Sequence, residues 1–272
     1  MSKLQYPTVL SVAGSDSGGG AGIQADIKAI SAMGAYAATA ITAVTVQNTL
    51  GVTDVHPIPI PVICGQIEAV LSDIGANAIK IGMLHSSEVV EAVAATLLAH
   101  NAQNIVLDPV MVSTSGHRLI EESAIETLRR QLLPLARVIT PNIPEAEILA
   151  GVKIDHNDQL PEVARALAKS AGCSVLMKAG HLVGREIVDY LYNAETEELI
   201  ALPSEHIDTP NTHGTGCTLS SALAAALAQG LSLNEAARKA KEYIHAAICS
   251  GANYTIGHGH GPVDHFWKMR DI

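Results

Sequence analysis

Short β-branched runs alternate with Ala-rich helical stretches along most of this 272-residue chain, and that alternation restricts what it can fold into. Strands are expected at residues 8–13, 38–46, 78–81, 104–107, 138–140 and 174–178. Between them, apolar residues recur at helical spacing over 23–33, 62–74, 87–100, 123–133, 145–150 and 160–171. Gly34, Gly75 and Gly172 fall where those helices should end, because the residue after a helix often turns left-handed and glycine does so without steric cost. A strand–helix–strand series calls for a mainly parallel sheet, right-handed crossovers and helices on both faces. Composition agrees: 48% of residues are apolar and only 3% aromatic, which suits helices packed closely on strands buried on both sides. The third quarter departs from the pattern. Residues 188–192 and 199–202 read as an antiparallel hairpin, and 216–228 and 234–249 as two long helices. With no internal repeat, low-complexity stretch or linker, residues 1–272 are expected to form a single three-layer α/β/α domain.

A formal charge of -10 argues against a nucleic-acid partner, since phosphate-backbone binding needs clustered Lys and Arg. Cys64, Cys173, Cys217 and Cys249 lie far apart and make no CxxC, so neither zinc nor disulfides are expected. Cys64, Cys173 and Cys249 read as small buried hydrophobes. The apolar run at 8–13 is too short for a signal peptide or a membrane span. A soluble cytoplasmic protein is the expectation.

In open α/β sheets ligands collect beyond the carboxyl ends of the strands, and the polar motifs fall mostly there. Gly14 to Gly22, with five glycines, frees the backbone to present several N–H groups to a ligand, or forms a flexible turn. Asp26, in the following helix, either faces that ligand or is a solvated first-turn acid. Gln47 ends the second strand; its amide either offers a donor beside an acceptor, complementary to an amino group next to a ring nitrogen, or is a solvated or capping strand-end amide. Asp108 follows a buried strand and needs a partner to be buried itself. Asn142-Ile143-Pro144-Glu145 follows the next strand; Glu145 either favours a helix start or, with Asp108, holds magnesium. Lys178, after a late strand, either supplies a positive charge to nucleotide phosphates or is a solvated lysine. Gly214-Thr215-Gly216-Cys217 opens an Ala/Leu helix whose free N–H groups make an anion site for a transferring phosphoryl group. The same helix terminus should lower the Cys217 thiol pKa, unless Cys217 is simply a small buried hydrophobe at a helix start. His258, His260 and His265 in the tail lack metal-ligand geometry, and no metal site is expected there.

Taken together these segments resemble the ribokinase-like superfamily, and more closely the hydroxymethylpyrimidine/phosphomethylpyrimidine kinases of thiamine biosynthesis. The likeness runs through Ala13-Gly14-Ser15-Asp16, Gly19 to Asp26, Gln47-Asn48-Thr49, Lys80-Ile81-Gly82-Met83, Leu107 to Met111, Pro141-Asn142 with Pro144-Glu145, Lys178 with Gly180-His181, Thr212 to Thr218 and Gly261-Pro262. It implies ATP as co-substrate, Mg2+, an aminopyrimidine alcohol as substrate, two successive phosphorylations at one site, and a homodimer. Residue by residue, it implies an anion hole at Gly214, Thr215, Gly216 and Cys217, with Cys217 standing where most ribokinase-like enzymes carry an Asp base. Asp108 and Glu145, with Asn142, would organise magnesium and its waters. Lys178, Asn142, Thr212 and His213 would lie on the nucleotide side. Gln47 would bind the pyrimidine edge, with Gly14, Ala21, Asp26, Met83 and Val110 lining the rest. Gly18 departs from the family's frequent Ser.

Three rivals stand beside this reading. A pyridoxine/pyridoxal kinase shares the Gly-x-Gly-Cys segment, but pyridoxal lacks the aminopyrimidine edge that Gln47 suits. A hydrolase would use Cys217 as nucleophile, with His213 as the only nearby base and no third residue to orient it. A nucleotide-responsive binding protein would not need Asp108, Glu145, Lys178 and Cys217 all intact.

Overall fold

The computed structural model describes residues 5–111, 120–179 and 186–270. Its centre is a nine-stranded sheet in the order β3-β2-β1-β4-β5-β6-β7-β8-β9. The strands are β1 (Thr8–Ser15), β2 (Tyr36–Asn48), β3 (Gly51–Pro57), β4 (Ala78–Ile81), β5 (Ile105–Leu107), β6 (Val138–Ile139), β7 (Ser174–Met177), β8 (Glu186–Asn193) and β9 (Glu198–Glu205). The six from β2 to β7 in that spatial order run parallel; β3, β8 and β9 join antiparallel at the two edges. The helices are α1 (Gly22–Ala32), α2 (Ile60–Ala69), α3 (Ser87–Ala99), α4 (Glu122–Gln131), α5 (Ile143–Ala150), α6 (Leu160–Ala171), α7 (Thr215–Ala228) and α8 (Leu233–Gly251). Gly34, Gly75 and Gly172 all have positive φ (84°, 75° and 72°), as helix stops require.

Successive side chains of a strand point to opposite faces, so each buried strand feeds two cores. Leu10, Val12, Ile79, Ile81, Leu107, Ile139 and Val175 pack with α2 to α6 on one side. Val9, Ala78, Val106, Val138 and Leu176 pack with α1, α7 and α8 on the other. Helices on both faces of a mainly parallel sheet make the three-layer α/β/α architecture expected from the alternation.

One strand was not legible. β3 (GVTDVHP) has both faces partly or wholly exposed and carries no apolar period. It exists because β2 overshoots the sheet body and turns back at Thr49 and Leu50, where Asn48 Oδ1 accepts the Leu50 N–H at 2.8 Å. The register shifts between Val46 and Gln47, and such a bulge re-aims the side chains beside it.

α7 is the most enclosed helix: its residues Thr218 to Leu227 are all buried, on the sheet at β1, β4 and β5 and flanked by α1 and α8. Ala222, Ala224, Ala225 and Ala226 let the backbones approach closely and leave no room for a larger side chain. Ala225→Leu is therefore expected to lower stability by about 1–3 kcal/mol through overpacking. A reduced urea midpoint at unchanged slope is the measurement.

Candidate active site

The carboxyl ends of β1, β4, β5, β6 and β7 open into one cleft of about 710 Å³, walled on the far side by the end of β9 and by α8. β1 and β4 lie side by side while the chain between them runs outward through β2 and β3, so the cleft begins at a topological switch point.

The Gly-rich turn after β1 does not cradle a ligand anion, because it already holds one. The Asp16 carboxylate accepts the N–H groups of Gly18 (2.7 Å), Gly20 (3.1 Å) and Ala21 (2.8 Å). It also meets His213 Nε2 at 2.9 Å. Burial works against ionising Asp16, but His213 and these amides prevail and hold its pKa below the ordinary value. The loop and the α7 entrance interlock. A Cβ on Gly20 would run into the His213 ring, and one on Gly214 (φ 79°) would overlap the Gly20 carbonyl. His213, expected on the nucleotide side, is instead tied to the β1 loop and lies beside Gln47.

Asp26 corrects a second expectation. It is fully buried and does not face the cleft; it pairs with Lys80 Nζ at 2.9 Å and accepts the hydroxyls of Ser11 (2.6 Å) and Ser221 (2.7 Å). Lys80, part of the resemblance but given no role from the sequence, lines the cleft. Burial favours its neutral form, but Asp26, Cys217 and Asp108 raise its pKa above the ordinary value, so it stays charged.

Across the cleft, Asp108 accepts from Thr140 Oγ1 and from Lys178 Nζ, each at 2.9 Å. Burial is outweighed by Lys178, Lys80 and Thr140, and Asp108 stays ionised with a lowered pKa. Glu145 shares the same lysine at 4.0 Å. It also closes a capping box: its carboxylate accepts the Asn142 N–H while Asn142 Oδ1 accepts the Glu145 N–H, both at 2.9 Å. Burial, with the Asp108 charge adding to it and Lys178 opposing, pushes the Glu145 carboxyl up to about 7. An acidic pair sharing one ammonium, rich in hard oxygens and open to the cleft, is a donor set that Mg²⁺ fits with water and phosphate oxygens as further ligands. Among the described residues no cluster of three or more His, Cys, Asp or Glu forms a metal set.

α7 starts at Thr215 with no side-chain cap; the Thr215 N–H donates to the Thr212 carbonyl at 3.2 Å, and the Gly216 and Cys217 amides remain for an anion. They lie close to the lysine and acid just described: a Cβ on Gly216 would sit 3.1 Å from Lys178 Nζ and 3.5 Å from Asp108 Oδ2. Cys217 is partly accessible, as are Cys64 and Cys249, whereas Cys173 is buried. The expected lowering of the Cys217 thiol pKa does not occur. Burial, with the Asp26 and Asp108 charges adding to it, pushes it up to about 11; the Lys80 charge pulls the other way and loses. Gly14, Ala21, Met83 and Val110 line the cleft with Gln47, and so does Thr212. Gly180 and His181 fall outside the described residues. Sequence reasoning also missed the outer wall, Ser204 to Thr209 with Lys241, Ile244, His245 and Ile248, and the buried Asp189 that holds Lys241 at 2.7 Å and the Ala179 N–H at 2.8 Å. The tail His265 bonds Thr218 Oγ1 at 2.9 Å. No described helix is long and apolar enough to cross a membrane.

A helix-start anion site facing a lysine and two acids, at the carboxyl ends of a parallel sheet layered with helices, defines a ribokinase-like small-molecule kinase. The phosphomethylpyrimidine kinase family profile matches residues 16–264, and the chain belongs to that family. It is 47% identical to the hydroxymethylpyrimidine/phosphomethylpyrimidine kinase of Rhizobium meliloti, over 95% of this chain and 98% of that one. It is 45% identical to a thiamine biosynthesis bifunctional protein of Geobacter sulfurreducens, of which it spans about half (97% of this chain, 53% of the other). Among solved structures, phosphomethylpyrimidine kinase from Clostridium difficile superposes with TM-score 0.78 at 44% identity, covering 89% of this chain and 99% of that one. An ADP complex of Bacillus subtilis pyridoxal kinase superposes with TM-score 0.89 at 37% identity, covering 97% and 99%.

The Glu145 carboxyl gives a pH test. Its folded pKa is raised from 4.5 to about 7, so between those values the folded protein holds a proton the unfolded chain has released. Stability from this group is full below about 4.5 and falls as pH rises towards 7; Asp108, with its lowered pKa, is already ionised throughout that window. Glu145→Gln should remove this decline, read as a flatter plot of urea midpoint against pH.

Proposed function

We propose that this chain is a cytoplasmic ATP-dependent kinase of thiamine biosynthesis. It phosphorylates 4-amino-5-hydroxymethyl-2-methylpyrimidine to the monophosphate and then the monophosphate to the pyrophosphate. The observation that carries this reading is that one cleft is lined by the α7 entrance, Lys178, Asp108 and Gln47 together. Gln47, Gly14, Ala21, Met83 and Val110 receive the ring, and the hydroxymethyl group points towards Cys217. The Gly216 and Cys217 amides bind the phosphoryl group in transfer and stabilise the charge spread over its oxygens. Lys178 supplies a fixed positive charge to the nucleotide phosphates, with Asn142 and Thr212 beside it. His213 acts through the β1 loop. Asp108 and Glu145 would hold Mg²⁺, which screens phosphate charge when bound. A cleft of about 710 Å³ has space for a phosphorylated substrate as well as a nucleotide. The homodimer expected of the family belongs to this reading too, and the exposed Val44, Val46 and Leu50 of the β2–β3 arm give it an apolar surface.

A pyridoxal kinase activity is the second reading, favoured by the TM-score of 0.89 to the Bacillus subtilis pyridoxal kinase. Incubation with ATP, Mg²⁺ and each alcohol, with products identified by mass, separates the two. A second phosphate on the pyrimidine product is expected; turnover of pyridoxal with none of the pyrimidine reverses the assignment.

On this reading Cys217 takes the alcohol proton, and its thiol must ionise first. With a pKa of about 11, the thiolate fraction rises tenfold per pH unit through neutrality. The kcat is expected to climb between pH 7 and 9 in the wild type and to be low and flat in Cys217→Ala. Near-wild-type turnover in that variant would leave the backbone amides as the main catalytic device.

A further inference from the structure

Four polar side chains lining the cleft form a chain whose protons can be placed unambiguously. The Gln47 amide has Oε1 3.1 Å from Thr45 Oγ1 and Nε2 3.4 Å from His213 Nε2. The two arms, carbonyl oxygen and NH2, exchange by a half-turn about the terminal bond, so hydrogen bonding must decide between them. Thr45 has a single hydroxyl proton. It is committed to the Ser15 carbonyl oxygen at 2.7 Å, because without it two acceptor oxygens would face each other at that distance. Thr45 Oγ1 can therefore only accept from Gln47.

At the other arm, the Asp16 carboxylate takes N–H groups from Gly18, Gly20 and Ala21 and meets His213 Nε2 at 2.9 Å. An ionised acceptor so placed requires a proton on Nε2. His213 Nε2 is thus a donor and has no lone pair for an amide NH2. One orientation satisfies both ends: the Gln47 NH2 donates to Thr45 Oγ1, and Gln47 Oε1 accepts from His213 Nε2–H, shared with Asp16. One N–H and one lone pair of the amide are left for a ligand.

We propose that Thr45 and His213, the latter held by Asp16, are specificity-determining positioning residues that fix which end of the Gln47 amide faces each side of the pocket. The pocket then favours a heteroaromatic edge with an amino donor on the His213 side and a ring-nitrogen acceptor on the Thr45 side. This rests on the reading of Gln47 as the group that meets the pyrimidine. A ligand with the reversed pattern, a ring carbonyl beside a ring N–H, meets donor against donor and acceptor against acceptor. Such mismatches leave buried polar groups unpaired and are rejected far more strongly than a change of size.

The test uses the full-length protein with two substrates, the 4-amino alcohol and its 4-oxo analogue. Wild type is expected to prefer the amino compound by roughly 10²-fold or more in kcat/KM. Thr45→Val keeps the shape but removes the accepting oxygen, freeing the amide to turn. It should raise KM for the amino compound about tenfold, change kcat little, and cut the preference about tenfold. Thr45→Ser, which keeps the oxygen, should restore most of the preference. Equal losses on both substrates in Thr45→Val and Thr45→Ser would mean a merely structural role and overturn the proposal. A neutron structure of the ligand-free protein reads the amide directly and independently of turnover: nitrogen beside Thr45 supports the proposal, and oxygen there refutes it. Should wild type act on neither pyrimidine, the proposed function fails, and the neutron result still judges the amide.

Discussion

Lys80 and Asp26 meet in the interior, each with no exposed surface, and the rest of the site is hung on that ion pair. Lys80 comes from β4, Asp26 from α1; Ser11 of β1 and Ser221 of α7 donate to the same carboxylate. Four elements are thereby set in angle and depth by hydrogen bonds, where apolar contact alone would tolerate sliding. Moving two charges out of water is expensive, and a hydrophobic pair of the same size is often as stable. What the pair adds here is position. Ser221 lies one turn beyond Cys217, so the phase of α7, and with it the direction of its first-turn amides, is referred to the sheet through Asp26. The Lys80 ammonium also opposes the effect of burial on the Cys217 thiol.

Charge at the cleft is arranged in two layers. The lower one is neutral overall, Lys80 against Asp26. The upper one is an excess of acid, Asp108 and Glu145 around Lys178, in which Glu145 gives way by taking up a proton near neutrality. An arrangement that is short of positive charge when empty is suited to a ligand that brings cation and phosphate together. The first-turn amides of α7 add dipoles without adding counter-charge, so the site can bind a polyanion and still release it.

Much of this could be read in the sequence, and the failures have physical causes. The parallel strands were legible because burial on both faces makes them continuous apolar runs, and the anion site because glycines at a helix entrance leave few alternatives. β3 was not, since an edge strand exposed on both faces has no pattern to show. The Gly-rich loop was misread because spacing reveals free N–H groups but not that Asp16, two residues before Gly18, would turn back to occupy them. Asp26 was misplaced although a signal existed: it falls on the stripe with Ile23 and Ile30 that α1 buries. Lys80, in the middle of the apolar strand Ala78–Ile81, carries the matching signal. Two opposite charges at core positions of neighbouring elements imply each other, and neither is informative alone. Cys217 was misjudged because a helix terminus was credited in isolation, whereas desolvation outweighs it.

The interlock between the Gly20 segment and the Gly214 entrance has a consequence for how the protein comes into being. Its two halves are separated by nearly two hundred residues, and each is packed against the other: Asp16 meets His213, and the Gly20 carbonyl leaves no room for a Cβ at Gly214. Contacts of such sequence separation form late, because the intervening loop must be closed before they repay it. During synthesis the β1 loop emerges early and waits for the stretch that completes it. Phosphate-binding competence therefore arrives only when the last third of the polypeptide has folded, and a shortened or nascent chain carries a sheet with no reactive centre.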